Sequence, residues 1–125
     1  MKFLFLFLAI ILTSPVLKSQ GDELWVYFGT YTRGKDSEGL YNAKLNLKTG
    51  QLSKPVLAAK GDNPSFLTIL PNERYLIAVE ETNDYEGKSS GSVASYAINS
   101  TDGSLVLSDR VSTQGGAPCH ISADQ

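Results

Sequence analysis

The sequence predicts an all-β fold made of repeated four-stranded antiparallel units, and three observations support this prediction. Short apolar or alternating segments are separated by turn residues along most of the chain. No segment keeps the i, i+3, i+4 spacing of apolar residues over the ten or more positions that a helix prediction needs. The order of strands and turns also recurs after roughly fifty residues.

The first 19 residues have a different character from the rest of the chain. Lys2 precedes an apolar run from Phe3 to Leu12, and small or helix-breaking residues follow it. A positive start, a short apolar run and a polar exit are typical of a secretory signal peptide. Residues 1–19 are therefore predicted to be cleaved, which would make the protein secreted or periplasmic. The alternative, an N-terminal membrane anchor, is disfavoured because a span needs roughly 20 apolar residues.

The first unit of the mature chain is predicted to contain three strands. Residues 24–28 are rich in aromatic and β-branched side chains, which suits a buried strand. Residues 39–47 alternate between apolar and polar, and residues 48–50 form a hairpin turn in which Gly50 supplies a positive φ. Residues 52–59 form the return strand.

The second unit repeats this order and adds a strand in front of it. A short strand that ends in a turn covers residues 63–72, and a strongly apolar strand covers residues 75–80. An alternating strand (91–98), a turn (101–103) and a return strand (105–111) follow.

Matching residues in the two units define an internal repeat. Five residues of the first unit match five residues of the second unit at a constant offset of 53. The pairs are Leu40–Val93, Ala43–Tyr96, Leu45–Ile98, Gly50–Gly103 and Leu52–Leu105. At an offset of 54 the pairs are Gly61–Gly115, Pro64–Pro118 and Leu67–Ile121, and at 51 Tyr27–Phe28 pairs with Ala78–Val79. A period near 50 with four antiparallel strands is typical of β-propeller blades.

The strand count predicts about one and a half blades. Residues 63–113 form one complete blade, three strands of an earlier blade precede it without their innermost strand, and residues 121–125 begin the next inner strand. A propeller closes with at least about four blades. We therefore expect a truncated chain that packs with the remaining blades of a longer protein, and that aggregates through unpaired strand edges when expressed alone.

Composition and charge argue against several functional classes. The chain has 11 basic and 13 acidic residues with no basic block, so neither nucleic acid nor a membrane surface is an expected partner. We find no metal-binding His/Cys cluster, Gly-rich phosphate loop or nucleophile elbow, and we expect neither a metal nor a cofactor. Cys119 is the only cysteine; we expect a small buried hydrophobe, with a reactive thiol as the alternative.

The motifs and their order resemble the lactonase family of seven-bladed β-propellers. The resemblance lies in residues 27–32 and 37–41, in residues 63–67 with 75–81, and in residues 91–96 and 115–122; it extends over about residues 24–125. The family includes propeller-type 6-phosphogluconolactonases and is related to fungal carboxymuconate-lactonizing enzymes. The resemblance implies hydrolysis of a sugar lactone, such as 6-phosphogluconolactone, to the open acid.

Four residues are candidates for the chemistry. His120, the only histidine, falls on a predicted inner strand and could act as a base, since its unperturbed pKa is about 6.5; the alternative is a structural histidine. Glu80 and Glu81 end an apolar strand and could steer a base or bind a cation, although a solvated loop is favoured. Tyr31, at the same strand-end position one blade earlier, could hydrogen-bond substrate or simply pack.

Two questions of function stay open at this stage. Arg33, Lys35 and Arg74 could pair with a phosphate, although Arg74 fits better in an inter-strand turn. The full protein is expected to be a lactone hydrolase. The alternative is an exported, non-catalytic propeller that binds a sugar or a protein partner, because fold alone does not decide function.

Overall fold

The computed structural model describes residues 21–124 as two antiparallel sheets. The strands of the first sheet, in chain order, are β1 (Glu23–Gly29), β2 (Gly39–Asn46) and β3 (Val56–Lys60). Those of the second sheet, also in chain order, are β4 (Pro64–Ile69), β5 (Tyr75–Glu80), β6 (Ser92–Ile98) and β7 (Leu105–Ser112). The predicted signal peptide lies outside the described residues. Within the described residues, the all-β prediction is confirmed.

The four-stranded sheet corresponds to the complete blade predicted for residues 63–113, and the three-stranded sheet to the blade without an inner strand. The loop between β5 and β6 contains a short 3-10 turn, Tyr85–Gly87. Within residues 21–124, no helix has the length and apolar character needed to cross a bilayer.

The hairpin turns of the two sheets have the same hydrogen bonds at an offset of 53 residues. Gly50 N donates to Asn46 O, and Gly103 N donates to Asn99 O, each at 2.8 Å. The side-chain oxygens of the two asparagines each accept a backbone N–H two residues further on, at 3.0 Å. Both glycines have a positive φ, 71° and 72°, which confirms the reason for glycine in these turns. The two hairpin turns therefore have the same backbone structure.

The register of the sheets corrects one offset by a single residue. Phe28 pairs with Tyr41 across β1 and β2, and Ala78 pairs with Ala94 across β5 and β6. Since Tyr41 and Ala94 are equivalent at the offset of 53, Phe28 is equivalent to Ala78, and the offset in this strand is 50 rather than 51. The correction matters because successive side chains of a strand point to opposite faces.

The turn between β6 and β7 is held by the three-stranded sheet. Tyr27 Oη donates to the Gly103 carbonyl at 3.0 Å, and Asn42 Nδ2 donates to the Asp102 carbonyl at 3.3 Å. A methyl group on Gly103 would lie 2.6 Å from Asn42 Nδ2 and 2.7 Å from a ring carbon of Trp25. Gly103 is therefore required both for its backbone conformation and for the close approach of the two sheets.

The buried core joins the two sheets. Leu40 comes from the first sheet, whereas Leu76, Ala78, Ala94 and Tyr96 come from the second, and all five are almost completely inaccessible to solvent. These residues belong to strands whose alternating pattern placed them on a common face. The core therefore fixes the relative position of the strand ends where the polar residues lie.

Two expectations about the C-terminal segment are wrong. Residues 117–124 form no strand, although the sequence predicted an inner strand from residue 121, because a strand needs a hydrogen-bonded neighbour and the described residues offer none there. Cys119 is exposed rather than buried, since its segment has no second strand to cover it.

Candidate functional site

Three loops meet at the end of the sheets where β1 and β5 finish. Asn63, in the short connection between β3 and β4, holds them together. Its side-chain oxygen accepts the backbone N–H groups of Thr32 at 2.8 Å and of Arg33 at 3.1 Å. Its side-chain nitrogen donates to the Glu81 carbonyl at 3.2 Å. Sequence reasoning missed this role, although Asn63 is part of the motif that carries the family resemblance.

Tyr31 and Glu81 form a pair across these loops. Tyr31 Oη donates to Glu81 Oε2 at 2.8 Å, and the two positions are equivalent at the corrected offset of 50. The buried Ser65 hydroxyl beside Glu81 has no hydrogen bond of regular geometry. Contact with Ser65, and then with Tyr31, lowers the pKa of Glu81, so that its carboxylate is charged at neutral pH. The same hydrogen bond to Glu81 raises the pKa of the Tyr31 phenol, which therefore stays protonated.

Glu80 occupies a different environment from its neighbour Glu81. Its side chain is only 3% exposed and forms an ion pair with Arg110, with Nε 2.8 Å from Oε2 and Nη2 2.9 Å from Oε1. The Nη2 contact is a regular hydrogen bond, whereas the Nε contact is close but poorly aligned. Ser92 Oγ donates to Oε2 at 2.5 Å. The solvated-loop interpretation is therefore wrong for Glu80, whose buried charge needs these partners.

The two glutamates do not act as one carboxylate pair. Glu80 contacts Arg110 and Ser92, whereas Glu81 contacts Tyr31. Burial opposes the charge of Arg110, but the hydrogen bond and the charge of Glu80 outweigh it and raise the pKa of the guanidinium. Among residues 21–124, no group of three or more His, Cys, Asp or Glu side chains is placed to hold a metal ion.

Arg33 is held between two aspartates. Its Nη2 lies 2.6 Å from Asp62 Oδ2 and 2.7 Å from Asp84 Oδ1. Nε donates to Asp62 Oδ1 at 2.9 Å, and Nη1 donates to Asp84 Oδ2 at 2.9 Å. The hydrogen bond with Arg33 lowers the pKa of Asp62, and the contact with Asp62, followed by that with Asp84, raises the pKa of Arg33. Each carboxylate meets the guanidinium in the two-point geometry that such pairs favour.

A groove of about 460 Å³ lies beside these loops. Five carboxylates line it, together with the three cationic side chains Arg33, Lys60 and Arg110. Lys60 is paired with Glu38 at 2.8 Å, so each of the three cations is bound to a carboxylate. The groove is polar, with an excess of negative charge.

His120 lies in the segment that follows β7. Its ring packs against Phe66, with the ring centroids 4.5 Å apart and the planes tilted by 49°. Phe66 and His120 are equivalent at the repeat offset of 54, so they mark the inner position of successive blades. His120 is exposed, and its partner Phe66 directly follows Ser65, whose hydroxyl contacts Glu81. The packing on Phe66 therefore connects His120 to the strand that also contacts the Tyr31–Glu81 pair.

The other two cationic candidates do not line the groove. Arg74 is exposed in the turn between β4 and β5, where its backbone N–H donates to Asn72 Oδ1 at 3.0 Å. This turn is at the opposite end of β5 from Glu80, which confirms the inter-strand assignment. Lys35 is exposed in the loop between β1 and β2.

Comparison with known proteins is consistent with this architecture. The family model described as "Lactonase, 7-bladed beta-propeller" matches residues 25–125. The chain belongs to this family. The two sheets are thus parts of neighbouring blades, and the end that carries Tyr31, Glu81 and Arg33 is one face of a lactonase-family propeller.

Curated relatives of this lactonase-family chain share a single name. A 6-phosphogluconolactonase of Bacillus subtilis is 37% identical over 98 residues, which cover 78% of this chain and 26% of the relative. A 6-phosphogluconolactonase of Formosa agariphila is 29% identical over 100 residues, covering 80% and 28%. The chain thus spans about a quarter of the length of the curated relatives it matches.

Solved structures also resemble this lactonase-family chain. A candidate 6-phosphogluconolactonase of Bacteroides uniformis superposes with a TM-score of 0.74 at 35% identity, covering 83% of this chain and 29% of that protein. The periplasmic gluconolactonase of Pseudomonas aeruginosa superposes with a TM-score of 0.68 at 30% identity, covering 77% and 26%.

Proposed function

We propose that the full-length protein hydrolyses a sugar lactone to the open aldonic acid. The observation that carries this proposal is the family membership of residues 25–125, together with relatives at 37% and 30% identity that are named 6-phosphogluconolactonase and periplasmic gluconolactonase. The Tyr31–Glu81 pair supplies polar groups at the face where the inner strand begins.

Lactone hydrolysis makes three chemical demands. Water must lose a proton as it attacks the ring carbonyl, the developing oxyanion needs hydrogen-bond donors, and the leaving ring oxygen must gain a proton. A protonated phenol can donate to the oxyanion or to a substrate hydroxyl. Glu81 orients the Tyr31 phenol through their hydrogen bond and keeps its own charge.

His120 is the proposed base. An imidazole ring nitrogen can take a proton from an attacking water molecule and return it to the leaving oxygen. Its exposure leaves the ring accessible to water, and its packing on Phe66 restricts its orientation. In this assignment His120 activates the water, Tyr31 contacts the substrate, and Glu81 is a positioning residue.

We also propose that the reaction takes place outside the cytoplasm. The amino-terminal sequence has the features of a signal peptide, and one solved relative is described as periplasmic. Fractionation of cells that express the tagged full-length protein, followed by amino-terminal sequencing, tests this. A cytoplasmic protein that retains residues 1–19 would contradict it.

The activity test uses the full-length protein with glucono-1,5-lactone and 6-phosphogluconolactone, and it measures acid release at constant pH. We expect His120→Ala to lower kcat by roughly a hundredfold or more, as is usual on loss of a general base. Cys119→Ala, a change of the neighbouring exposed residue, should leave the rate unchanged. Full activity in His120→Ala would remove the base assignment, and an inactive wild-type protein would favour a binding module.

Tyr31→Phe separates substrate contact from packing, because it removes only the hydroxyl. We expect a decrease of about tenfold in kcat/KM, the loss of one hydrogen bond of roughly 1.4 kcal/mol. Tyr75→Phe, at the opposite end of the sheet, is the matched control. Equal rates in the two variants would show that the Tyr31 phenol does not contact substrate.

A further inference from the structure

We infer that this face selects a lactone without a phosphate group, because Arg33, the arginine in the same loop as Tyr31, is already bound by two carboxylates of the chain itself. The inference rests on the proposed lactonase function and adds the charge of the substrate to it. The names of the two curated relatives would instead suggest a phosphorylated lactone.

Arg33 is the cation that a phosphate at this face would be expected to bind. It lies two residues after Tyr31, and its backbone N–H donates to Asn63 Oδ1 at 3.1 Å. The same Asn63 side chain donates to the Glu81 carbonyl at 3.2 Å, so the Arg33 backbone is fixed relative to the pair. Arginine binds phosphate through two parallel N–H···O bonds, which need free N–H groups.

The N–H groups of Arg33 are engaged on both edges. The carboxylate oxygens of Asp62 lie 2.9 Å from Nε and 2.6 Å from Nη2. Those of Asp84 lie 2.9 Å from Nη1 and 2.7 Å from Nη2. A phosphate would have to displace one of these two-point contacts and approach the remaining carboxylate. Two aspartates also carry one more negative charge than the guanidinium balances.

The remaining cations of the groove are paired as well. Lys60 binds Glu38 at 2.8 Å, and Arg110 binds the buried Glu80 at 2.8 Å. Lys35 and Lys88 lie further along the two loops and do not line the groove. Glu81, which is hydrogen-bonded to Tyr31, adds a further carboxylate. A dianionic phosphate would therefore meet net negative charge, whereas the hydroxyl groups of an unphosphorylated sugar can donate to these carboxylates.

The test compares the full-length wild-type protein with Asp62→Asn/Asp84→Asn, which keeps the shape of both side chains and releases Arg33. The matched control is Asp22→Asn/Glu23→Gln. It makes the same change of charge at the other end of β1, where these carboxylates pair with Lys48 and Lys44. Thermal melts establish that the variants are folded before they are compared.

We expect wild-type kcat/KM to be at least tenfold higher for glucono-1,5-lactone than for 6-phosphogluconolactone. The Asp62/Asp84 variant should raise the relative kcat/KM for the phosphorylated lactone at least tenfold, and the control should not. Adding Arg33→Met to that variant should abolish the gain. A wild-type preference for the phosphorylated lactone, or an equal gain in the control, would overturn the inference.

Calorimetric titration with gluconate and 6-phosphogluconate separates this inference from the proposed function. In one outcome, the wild-type protein hydrolyses neither lactone, and the Asp62/Asp84 variant, unlike the control, binds 6-phosphogluconate tenfold more tightly than wild type does. The proposed function then fails and the proposed selectivity stands. If wild-type protein hydrolyses both lactones equally and binds 6-phosphogluconate at least as tightly as gluconate, the function stands and the selectivity fails.

Discussion

Equivalent strands of the two sheets are buried to different extents. β5 lies between β4 and β6, and four of its six residues are buried. β1 has the same place in the repeat but pairs only with β2, and none of its seven residues reaches the buried class. The inner strand therefore makes the difference, because a strand becomes buried only when neighbours cover both its edge and its face.

The same comparison holds for the turns and the strand ends. Gly50 and Gly103 have the same backbone conformation, but only Gly103 lies against the other sheet. Tyr31 and Glu81 are equivalent positions that contact each other across the two blades. The two hairpin turns thus share one backbone conformation, and the packing between the sheets gives each turn different surroundings.

The two glycines provide the sharpest test of this difference. Gly50→Ala should cost about 1 kcal/mol of unfolding free energy, because it only forces alanine into positive φ. Gly103→Ala should cost about 3 kcal/mol, since the new methyl group also overlaps Asn42 and Trp25. Denaturant unfolding of the full-length protein measures both values. Equal costs would show that the contact between the turn and the other sheet is not maintained in solution.

The adjacent glutamates provide the next test. Glu80→Gln should cost about 2 kcal/mol of stability, because Arg110 loses the charge that balances its own. Arg110 is partly exposed, which keeps the cost below that of a fully buried ion pair. Glu81→Gln should change stability by less than about 0.5 kcal/mol, as is usual for an exposed contact, but it should lower lactonase activity. Thermal melts and acid-release rates measure the two effects. A reversed order would mean that Glu81, not Glu80, is the structural residue.

The smallest expected effect is a dependence of stability on pH. Because the pKa of Asp62 is lowered in the folded state, its ion pair stabilises the protein above the unfolded pKa of about 3.9, and this contribution disappears as the pH falls through the folded pKa. Asp62→Asn should therefore cost less than about 1 kcal/mol at pH 7, since both partners are half exposed, and progressively less as the pH falls below about 3.9. Asp36→Asn, in the same face, is the control, and melts from pH 3 to pH 7 measure both variants. A cost of Asp62→Asn that does not change with pH would exclude the ion pair as its cause.

Much of the fold could be predicted because it is local. The turns around Gly50 and Gly103 depend on a glycine and on an asparagine four residues earlier, all visible in the sequence.

The site could be predicted only in part. Tyr31 and Glu81 were recognised as strand ends at one face, but not as hydrogen-bonded partners. The partner of Glu80 is 30 residues away, and Arg33 binds aspartates 29 and 51 residues away. No periodicity of the sequence identifies such pairs.

The sequence by itself determined the strands, the turns and the repeat, because alternation of side chains and the demand for positive φ act over a few neighbouring residues. The tertiary structure alone decided which charges are buried and which are paired. It placed Glu80 against Arg110 in the interior, left Glu81 to Tyr31 at the surface, and closed Asp62 and Asp84 around Arg33. These outcomes depend on distances between blades, because the energy of a charge is set by whatever folding brings next to it.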